Sequence, residues 1–128
     1  DRDLVVRMID EFPVFAVLAS QAEGVTTVRN ASELRLKESD RISVLAGELR
    51  KFGVSVTEYQ DGFSIIGPQP ICSAQVDSHR DHRLAMSLVI ASLLATGDSK
   101  VERSEVLNES FPEFITELTS LGAQVGEI

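Results

Sequence analysis

Hydrophobic and polar positions follow two different periods along this chain, and together they predict short strands interspersed with helices. Alternating or β-branched segments predict strands at 4–8, 25–29, 54–58, 63–66, 99–102 and 123–125. Apolar residues that return every three or four positions predict four helices, which open at residues with N-cap chemistry: Asp10, Ser39, Asp81 and Ser110. Glycines close the same helices: Gly24, Gly53, Gly97 and Gly122. This order of elements is typical of an α/β fold.

The order of predicted elements recurs in the second half of the chain. Gly-Pro-Gln-Pro at 67–70 interrupts the pattern and is the best place to divide it. Three landmarks then return in the same order: Gly24 as Gly97, Glu38 as Glu109, and Gly53 as Gly122. We therefore predict two strand–helix–strand–helix–strand units, at approximately 1–66 and 71–128. A chance match between apolar helix patterns is the alternative explanation.

Composition narrows the class of protein. The chain has 128 residues, of which 43% are hydrophobic, and this is enough for one domain with a core. A net charge of −8 argues against a nucleic-acid or anionic-membrane surface, and no apolar run approaches the ~20 residues of a membrane span. Because the chain begins at Asp1 without methionine and enters an apolar segment almost at once, we expect a piece of a longer protein, although a processed or tagged chain would look the same.

Cysteine usage indicates the compartment. The chain has one cysteine, Cys72, which excludes an internal disulfide and fits a reducing, cytoplasmic environment. We expect Cys72 to be a small buried side chain.

The segment 33–41 has the most unusual charge pattern. It contains three cations and three anions, and Leu34 and Leu36 alternate with charged residues as in a short extended segment. Ser39 is the predicted N-cap of the helix that follows. Arg41 then falls in the first turn, where a cation opposes the helix dipole unless an anion lies between them. This position is the first indication of a phosphate or carboxylate site.

Titratable residues coincide with all four predicted helix starts: Asp10 and Glu11, then Lys37, Glu38 and Arg41, then Asp81, His82 and Arg83, and finally Glu109. If the units pack side by side, these helix N-termini face one mouth and suit an anionic ligand. Lys37 and Arg41 have the chemistry to hold its oxygens, and Glu38 to exchange a proton. A solvated charged turn with ordinary salt bridges is the alternative.

The segment 77–83 forms the second cluster. Its two histidines and two aspartates have metal-binding chemistry, but its arginines would repel a divalent ion, so we predict no metal. We instead expect Asp81 to cap a helix, with His82 and Arg83 facing an anion. Asp10 is either only a cap or a general base beside a substrate hydroxyl.

Four motifs carry a family resemblance. They are Glu-Leu-Arg-Leu-Lys-Glu-Ser-Asp-Arg at 33–41, Asp-Ser-His-Arg-Asp-His-Arg-Leu-Ala-Met at 77–86, Asp-Glu-Phe-Pro at 10–13 and Ser-Phe-Pro at 110–112. In this order, along essentially the whole chain, they resemble the 5-enolpyruvylshikimate-3-phosphate (EPSP) synthases. The resemblance implies an enolpyruvyl transferase-like domain, an inverse α/β barrel of three repeated units. This chain would supply two of them, as about the last third of the enzyme.

The resemblance also implies an activity. The resemblance implies an enzyme that joins phosphoenolpyruvate to the 5-hydroxyl of shikimate 3-phosphate and releases phosphate, without metal or organic cofactor. This is a transferase step of the shikimate pathway, which leads to chorismate and the aromatic amino acids. The implied partners are these two small molecules and the missing N-terminal part of the enzyme, with no nucleic acid and no membrane. We expect the isolated chain to be inactive.

Site roles follow by matching motif positions. Asp10 matches the proton acceptor at the 5-hydroxyl, Lys37 a lysine at shikimate 3-phosphate, and Glu38 the glutamate near the methylene carbon of phosphoenolpyruvate. Two arginines are implied to bind phosphoenolpyruvate, with a histidine beside them: Arg41, Arg83 and His82. One branch of the family has a lysine where this chain has Glu109, so we give Glu109 no role.

Two alternatives remain. The related transferase that acts on UDP-N-acetylglucosamine shares the fold but lacks the paired motifs at 37–41 and 81–83. A non-catalytic fragment or partner subunit that only binds an anion or another chain belongs to a different class of protein. Turnover assays distinguish all three.

Overall fold

The computed structural model describes residues 2–126. The chain forms six helices over this range: α1 (Arg2–Arg7), α2 (Phe12–Ala19), α3 (Ser43–Lys51), α4 (His82–Leu94), α5 (Leu107–Ser110) and α6 (Phe114–Ser120). It forms five strands: β1 (Gly24–Val28), β2 (Thr57–Tyr59), β3 (Gly62–Gly67), β4 (Gln75–Asp77) and β5 (Lys100–Glu102). Two short 3₁₀ helices cover Ser32–Leu36 and Ser104–Val106. The predicted α/β class is confirmed.

The strands form two separate sheets. β3 lies between β1 and β2 and is antiparallel to both, with Val25 opposite Ile66 and Thr57 opposite Ser64. β4 and β5 pair in parallel, with Val76 opposite Val101, and α4 makes the crossover between them. The predicted strands at 25–29, 63–66 and 99–102 are therefore found close to their expected limits.

The main hydrophobic core connects α2, α3 and α4 to both sheets, and a smaller cluster joins α4 to α5 and α6. α2 packs against α4 and β3, while α3 contacts β2 and β4. Its largest fully buried apolar side chains are Phe52, Phe63, Leu34, Ile42, Leu45, Leu49, Ile65, Leu84 and Leu88. Full burial of such a side chain stabilises a fold by about 1.5–3 kcal/mol. This packing fixes the beginnings of α2, α3 and α4 relative to one another.

Two predicted extended segments are helical. The segment 4–8 belongs to α1, where the Met8 N–H donates to the Leu4 carbonyl, because a short apolar run has no intrinsic preference for a strand. The segment 33–36 belongs to a 3₁₀ helix, where the Leu34 N–H donates to the Ala31 carbonyl. Leu34 is fully buried and Leu36 is exposed, whereas residues two positions apart in a strand would share one face, so the helical turn separates the two leucines.

The predicted helix caps have mixed outcomes. Asp81 caps α4 as expected, since its Oδ1 accepts from the N–H groups of Arg83 and Leu84 at 3.0 and 3.3 Å. Ser39 does not cap α3; Asp40 Oδ1 instead accepts from the N–H groups of Ile42 and Ser43.

The other two predicted caps are also wrong. Asp10 lies before α2, but no side-chain bond caps that helix, and the Asp10 carboxylate turns to an arginine instead. Ser110 ends α5 rather than opening α6, and the cap position of α6, Glu113, has no side-chain bond either.

The last predicted strand and the cysteine also differ from expectation. Residues 123–125 lie outside any strand. Cys72 is exposed, because its neighbour Ile71 takes the buried position and consecutive side chains of an extended segment point in opposite directions. The division into units at 1–66 and 71–128 stays a prediction, and its outer ends at residues 1 and 127–128 lie outside the described residues. Within residues 2–126, no helix has the length and apolarity to span a membrane.

Candidate active site

Arg41 is the centre of the candidate site. Its side chain is 1% exposed and lies among three carboxylates that come from three separate parts of the chain. Nε donates to Asp81 at 2.8 Å, Nη1 to Asp10 at 3.1 Å, and Nη2 to both Glu38 at 2.7 Å and Asp81 at 3.1 Å. Burial alone would lower the pKa of Arg41, but Asp81, and then Asp10 and Glu38, outweigh it and raise the pKa. The guanidinium is therefore a permanent cation in this site.

Asp81 holds Arg41 from the interior. It is fully buried and accepts five hydrogen bonds: from Arg41 Nε and Nη2, Ser39 Oγ, and the N–H groups of Arg83 and Leu84. Burial would raise the pKa of Asp81, but the bonds from Arg41 and Ser39 outweigh it, so that the pKa lies below its ordinary value. Asp81 is thus an ionised anchor at the start of α4.

Asp10 and Glu38 have a different environment. Their side chains are 45% and 50% exposed, and each makes one hydrogen bond to Arg41. Asp10 also lies 3.9 Å from Arg83 Nη2. Because both carboxylates are half exposed, they stay in contact with water when an anionic ligand displaces them from Arg41, which avoids the penalty of a buried, unpaired charge.

Arg83 borders a groove beside the cluster. The groove has a volume of about 200 Å³ and is lined by residues of α2, α4 and α6 and the residues before α2: Asp10, Glu11, Val14, Arg83, Met86, Ser87, Ile90 and Phe114. Arg83 Nε is buried and has no hydrogen-bond partner among the described residues. Buried N–H groups are almost always paired, so this atom indicates where an acceptor would bind.

A family model described as EPSP synthase (3-phosphoshikimate 1-carboxyvinyltransferase) matches residues 3–118. The chain belongs to the EPSP synthase family. It is 50% identical over 119 residues to the 3-phosphoshikimate 1-carboxyvinyltransferase of Synechococcus sp. (strain JA-3-3Ab), covering 93% of this chain and 27% of that protein. It is 46% identical over 122 residues to the enzyme of the same name from Listeria monocytogenes, covering 94% of this chain and 28% of that protein.

Solved structures agree with this assignment. An EPSP synthase from Acinetobacter baumannii superposes with a TM-score of 0.89 at 38% identity, over 94% of this chain and 28% of that one. A second structure of an EPSP synthase from Acinetobacter baumannii gives 0.86 at 34% identity, over 99% and 30%. The enolpyruvyl transferase-like fold expected from the motifs is confirmed. The chain spans somewhat more than a quarter of the length of these relatives.

The structure brings together only some of the residues expected from the EPSP synthase motifs. Asp10, Glu38, Arg41 and Arg83 converge as described above. Lys37 is exposed and His82 is partly buried, and within residues 2–126 neither joins the ion pairs of Arg41. Glu109 is exposed on α5. Apart from Glu109, which has no assigned role, the roles that the resemblance gives to these residues stay predictions.

Sequence patterns missed two features of this chain. Asp81 was expected only as a cap and Ser39 only as a cap of α3, whereas Ser39 donates to Asp81 at 2.8 Å. The available signal was the unfavourable position of Arg41 near a helix start. It indicated a neighbouring anion, and the structure shows that the protein's own carboxylates supply it.

The second missed feature is Glu48, a buried carboxylate on α3. It accepts from the Asp77 N–H and contacts His79 Nε2, both at 3.0 Å, and pairs with Lys51 Nζ at 2.9 Å. Burial would raise the pKa of Glu48, but the bonds from Asp77, His79 and Lys51 outweigh it and lower the pKa. Glu48 therefore fixes the loop that leads into Asp81, where His79 has a left-handed backbone with φ of 53°.

Proposed function

We propose that this chain supplies the phosphoenolpyruvate-binding and proton-transfer side of the active site of a 3-phosphoshikimate 1-carboxyvinyltransferase. The observation that carries the proposal is the buried Arg41, which holds Asp10 on one guanidinium nitrogen and Glu38 on another. A ligand anion on this guanidinium would have one carboxyl group on either side of it, of which one can act as the base and the other as the acid. Family membership and the names of the relatives support the reaction.

The proposed chemistry has two steps. In the addition, Asp10 takes the proton of the 5-hydroxyl of shikimate 3-phosphate, and the oxygen bonds to the central carbon of phosphoenolpyruvate. Glu38, in its carboxylic acid form, gives a proton to the methylene carbon and becomes a carboxylate. In the elimination, Glu38 takes a proton back from the resulting methyl group while the bond to phosphate breaks. The double bond is restored, and phosphate leaves with the proton that Asp10 took from the hydroxyl, so that both carboxyl groups return to their starting states.

Cationic side chains stabilise the charges of this reaction. Arg41 and Arg83 neutralise the carboxylate and the leaving phosphate of phosphoenolpyruvate, and bidentate arginine contacts suit both groups. Lys37, an exposed cation on the same segment as Glu38, would contact the phosphate of shikimate 3-phosphate. His82 begins α4 directly beside Arg83 and would border the same anion.

The proposal extends to the rest of the enzyme. The chain corresponds to 27% or 28% of its relatives' length, so the remaining substrate contacts would come from the part of the enzyme that it lacks. We therefore propose that the isolated chain has no turnover. We also propose a reaction without metal or organic cofactor, on the basis of the family resemblance, and a cytoplasmic location, on the basis of the single cysteine.

A chimaera tests this function. The chain replaces the matching part of the Listeria monocytogenes relative, with which it shares 46% identity, and phosphate release is measured with phosphoenolpyruvate and shikimate 3-phosphate. We expect turnover that Asp10→Ala and Glu38→Ala each abolish. The unmodified Listeria enzyme is the positive control, and circular dichroism establishes that each protein is folded.

Other outcomes distinguish the alternatives. A folded chimaera that turns over UDP-N-acetylglucosamine instead would identify the related transferase. A folded chimaera that is inactive on both substrates would contradict the proposal and favour a non-catalytic binding protein. If the chimaera does not fold, the chain is mixed with the separately expressed remainder of the Listeria enzyme, and the same assay applies.

A further inference from the structure

The three carboxylates around Arg41 are not equivalent. Asp81 is fully buried and contacts the Nε edge of the guanidinium with both oxygens, at 2.8 and 3.1 Å. Asp10 contacts Nη1 and Glu38 contacts Nη2, which it shares with Asp81, through one oxygen each, and both side chains are about half exposed. An anion that arrives from solvent can therefore replace Asp10 and Glu38 but cannot reach the edge that Asp81 occupies.

Asp81 is itself held in one orientation. The hydroxyl of Ser39 donates to Oδ2 at 2.8 Å, and the N–H groups of Arg83 and Leu84 donate to Oδ1. A carboxylate fixed by three donors beyond Arg41 sets the plane of the guanidinium, because paired contacts along one edge leave it a single orientation. The remaining N–H groups then point in a fixed direction towards Asp10 and Glu38.

We propose that Asp81, supported by Ser39, is a positioning residue that orients Arg41 for an anionic substrate. The inference rests on the proposed function, in which that anion is phosphoenolpyruvate. Asp81 does not touch the substrate. It acts through Arg41, and it stays in place while the substrate takes over the contacts of Asp10 and Glu38.

The competing explanation is that Asp81 only caps α4. Asp81→Asn separates the two roles, because the amide oxygen can still accept from the α4 N–H groups while the amide nitrogen faces Arg41 without charge. Asp40→Asn is the matched control. The Asp40 side chain likewise accepts from two N–H groups at a helix start and pairs with an arginine, Arg35. It makes no hydrogen bond to the side chains of Asp10, Glu38 or Arg41.

The chimaera carries the test. We expect Asp81→Asn to raise the KM for phosphoenolpyruvate by about tenfold or more, with less effect on kcat and on the KM for shikimate 3-phosphate, because it removes an oriented charge contact. We expect Asp40→Asn to leave all three within about twofold. Ser39→Ala, which removes one of the five bonds of Asp81, should give a smaller rise of the same kind and substitutes for Asp81→Asn if that variant does not fold.

Phosphoenolpyruvate binding is also measured by calorimetry. If Asp81→Asn and Asp40→Asn have the same KM and the same Kd for phosphoenolpyruvate in an active chimaera, the positioning role is overturned and the proposed function is left intact. A folded chimaera without turnover would contradict the proposed function. In that case the calorimetric comparison still decides the positioning role, since weaker binding by Asp81→Asn alone supports it and equal binding refutes it.

Discussion

Arg35 and Arg41 lie on the same short segment, and both bind more than one carboxylate. Arg35 pairs with Asp40 at 2.9 Å and with Glu58 at 3.1 Å, just as Arg41 pairs with Asp10, Glu38 and Asp81. From composition alone the two arginines would be interchangeable. Their remaining partners distinguish them.

The difference lies in what else each guanidinium contacts. Arg35 also donates to the backbone carbonyls of Gln60 and Tyr59, both at 2.8 Å, so it fastens the 3₁₀ helix to the turn between β2 and β3. The guanidinium of Arg41 has side-chain carboxylates as its only hydrogen-bond partners among the described residues, and two of them are half exposed. Backbone partners cannot be exchanged for a ligand, whereas exposed carboxylates can. We therefore propose that Arg35 stabilises the fold and that Arg41 binds the anionic substrate.

The largest expected effect comes from removing each arginine. Arg41→Ala leaves the buried charge of Asp81 unpaired, which we expect to lower the free energy of unfolding by about 3–5 kcal/mol. Arg35→Ala removes a partly exposed guanidinium, and we expect a loss of about 1–2 kcal/mol. Urea unfolding of the 128-residue chain measures both. Equal losses would contradict the distinction between the two sites.

The next largest effect is a loss of kcat with little change in the free energy of unfolding. Glu38→Gln and Asp10→Asn in the chimaera should each lower kcat by about 10²–10⁴-fold, because each removes a group that transfers a proton in the proposed mechanism. Both carboxylates are half exposed, so the free energy of unfolding should change by no more than about 1 kcal/mol. Glu58→Gln, at the equivalent position beside Arg35, is the control and should retain kcat. Loss of activity in that control would show that the chemistry is not confined to Arg41.

A smaller effect is expected on the way the free energy of unfolding changes at acidic pH. The pKa of Asp81 is lower in the folded chain than in the unfolded chain, so its stabilising contribution is complete above the unfolded value of about 4 and is lost as the pH falls through the folded value. Asp81→Asn should therefore flatten the decline of the unfolding free energy below about pH 5, by about 1–3 kcal/mol. Parallel pH curves for the wild type and the variant would contradict this.

Local pattern predicted much of the fold and little of the pairing within the site. β-branched segments gave β1 and β3, and Asp81 was correctly placed as the cap of α4, because a cap bonds within its own turn. Glu38 lies only three residues from Arg41, but Asp10 and Asp81 lie 31 and 40 residues away, and no local period relates them to it. For the same reason, the bond from Ser39 to Asp81 could not be distinguished from an ordinary helix cap.

In the proposed mechanism, Arg41 exchanges its two exposed carboxylates, Asp10 and Glu38, for phosphoenolpyruvate. The most direct test is a crystal structure of the Glu38→Gln chimaera with phosphoenolpyruvate and shikimate 3-phosphate, since this slow variant should retain its substrates. We expect oxygens of phosphoenolpyruvate at about 2.7–2.9 Å from Arg41 Nη1 and Nη2, with Asp81 still on Nε and Arg35 unmoved. Phosphoenolpyruvate bound away from Arg41, with Asp10 still paired to that arginine, would contradict the account.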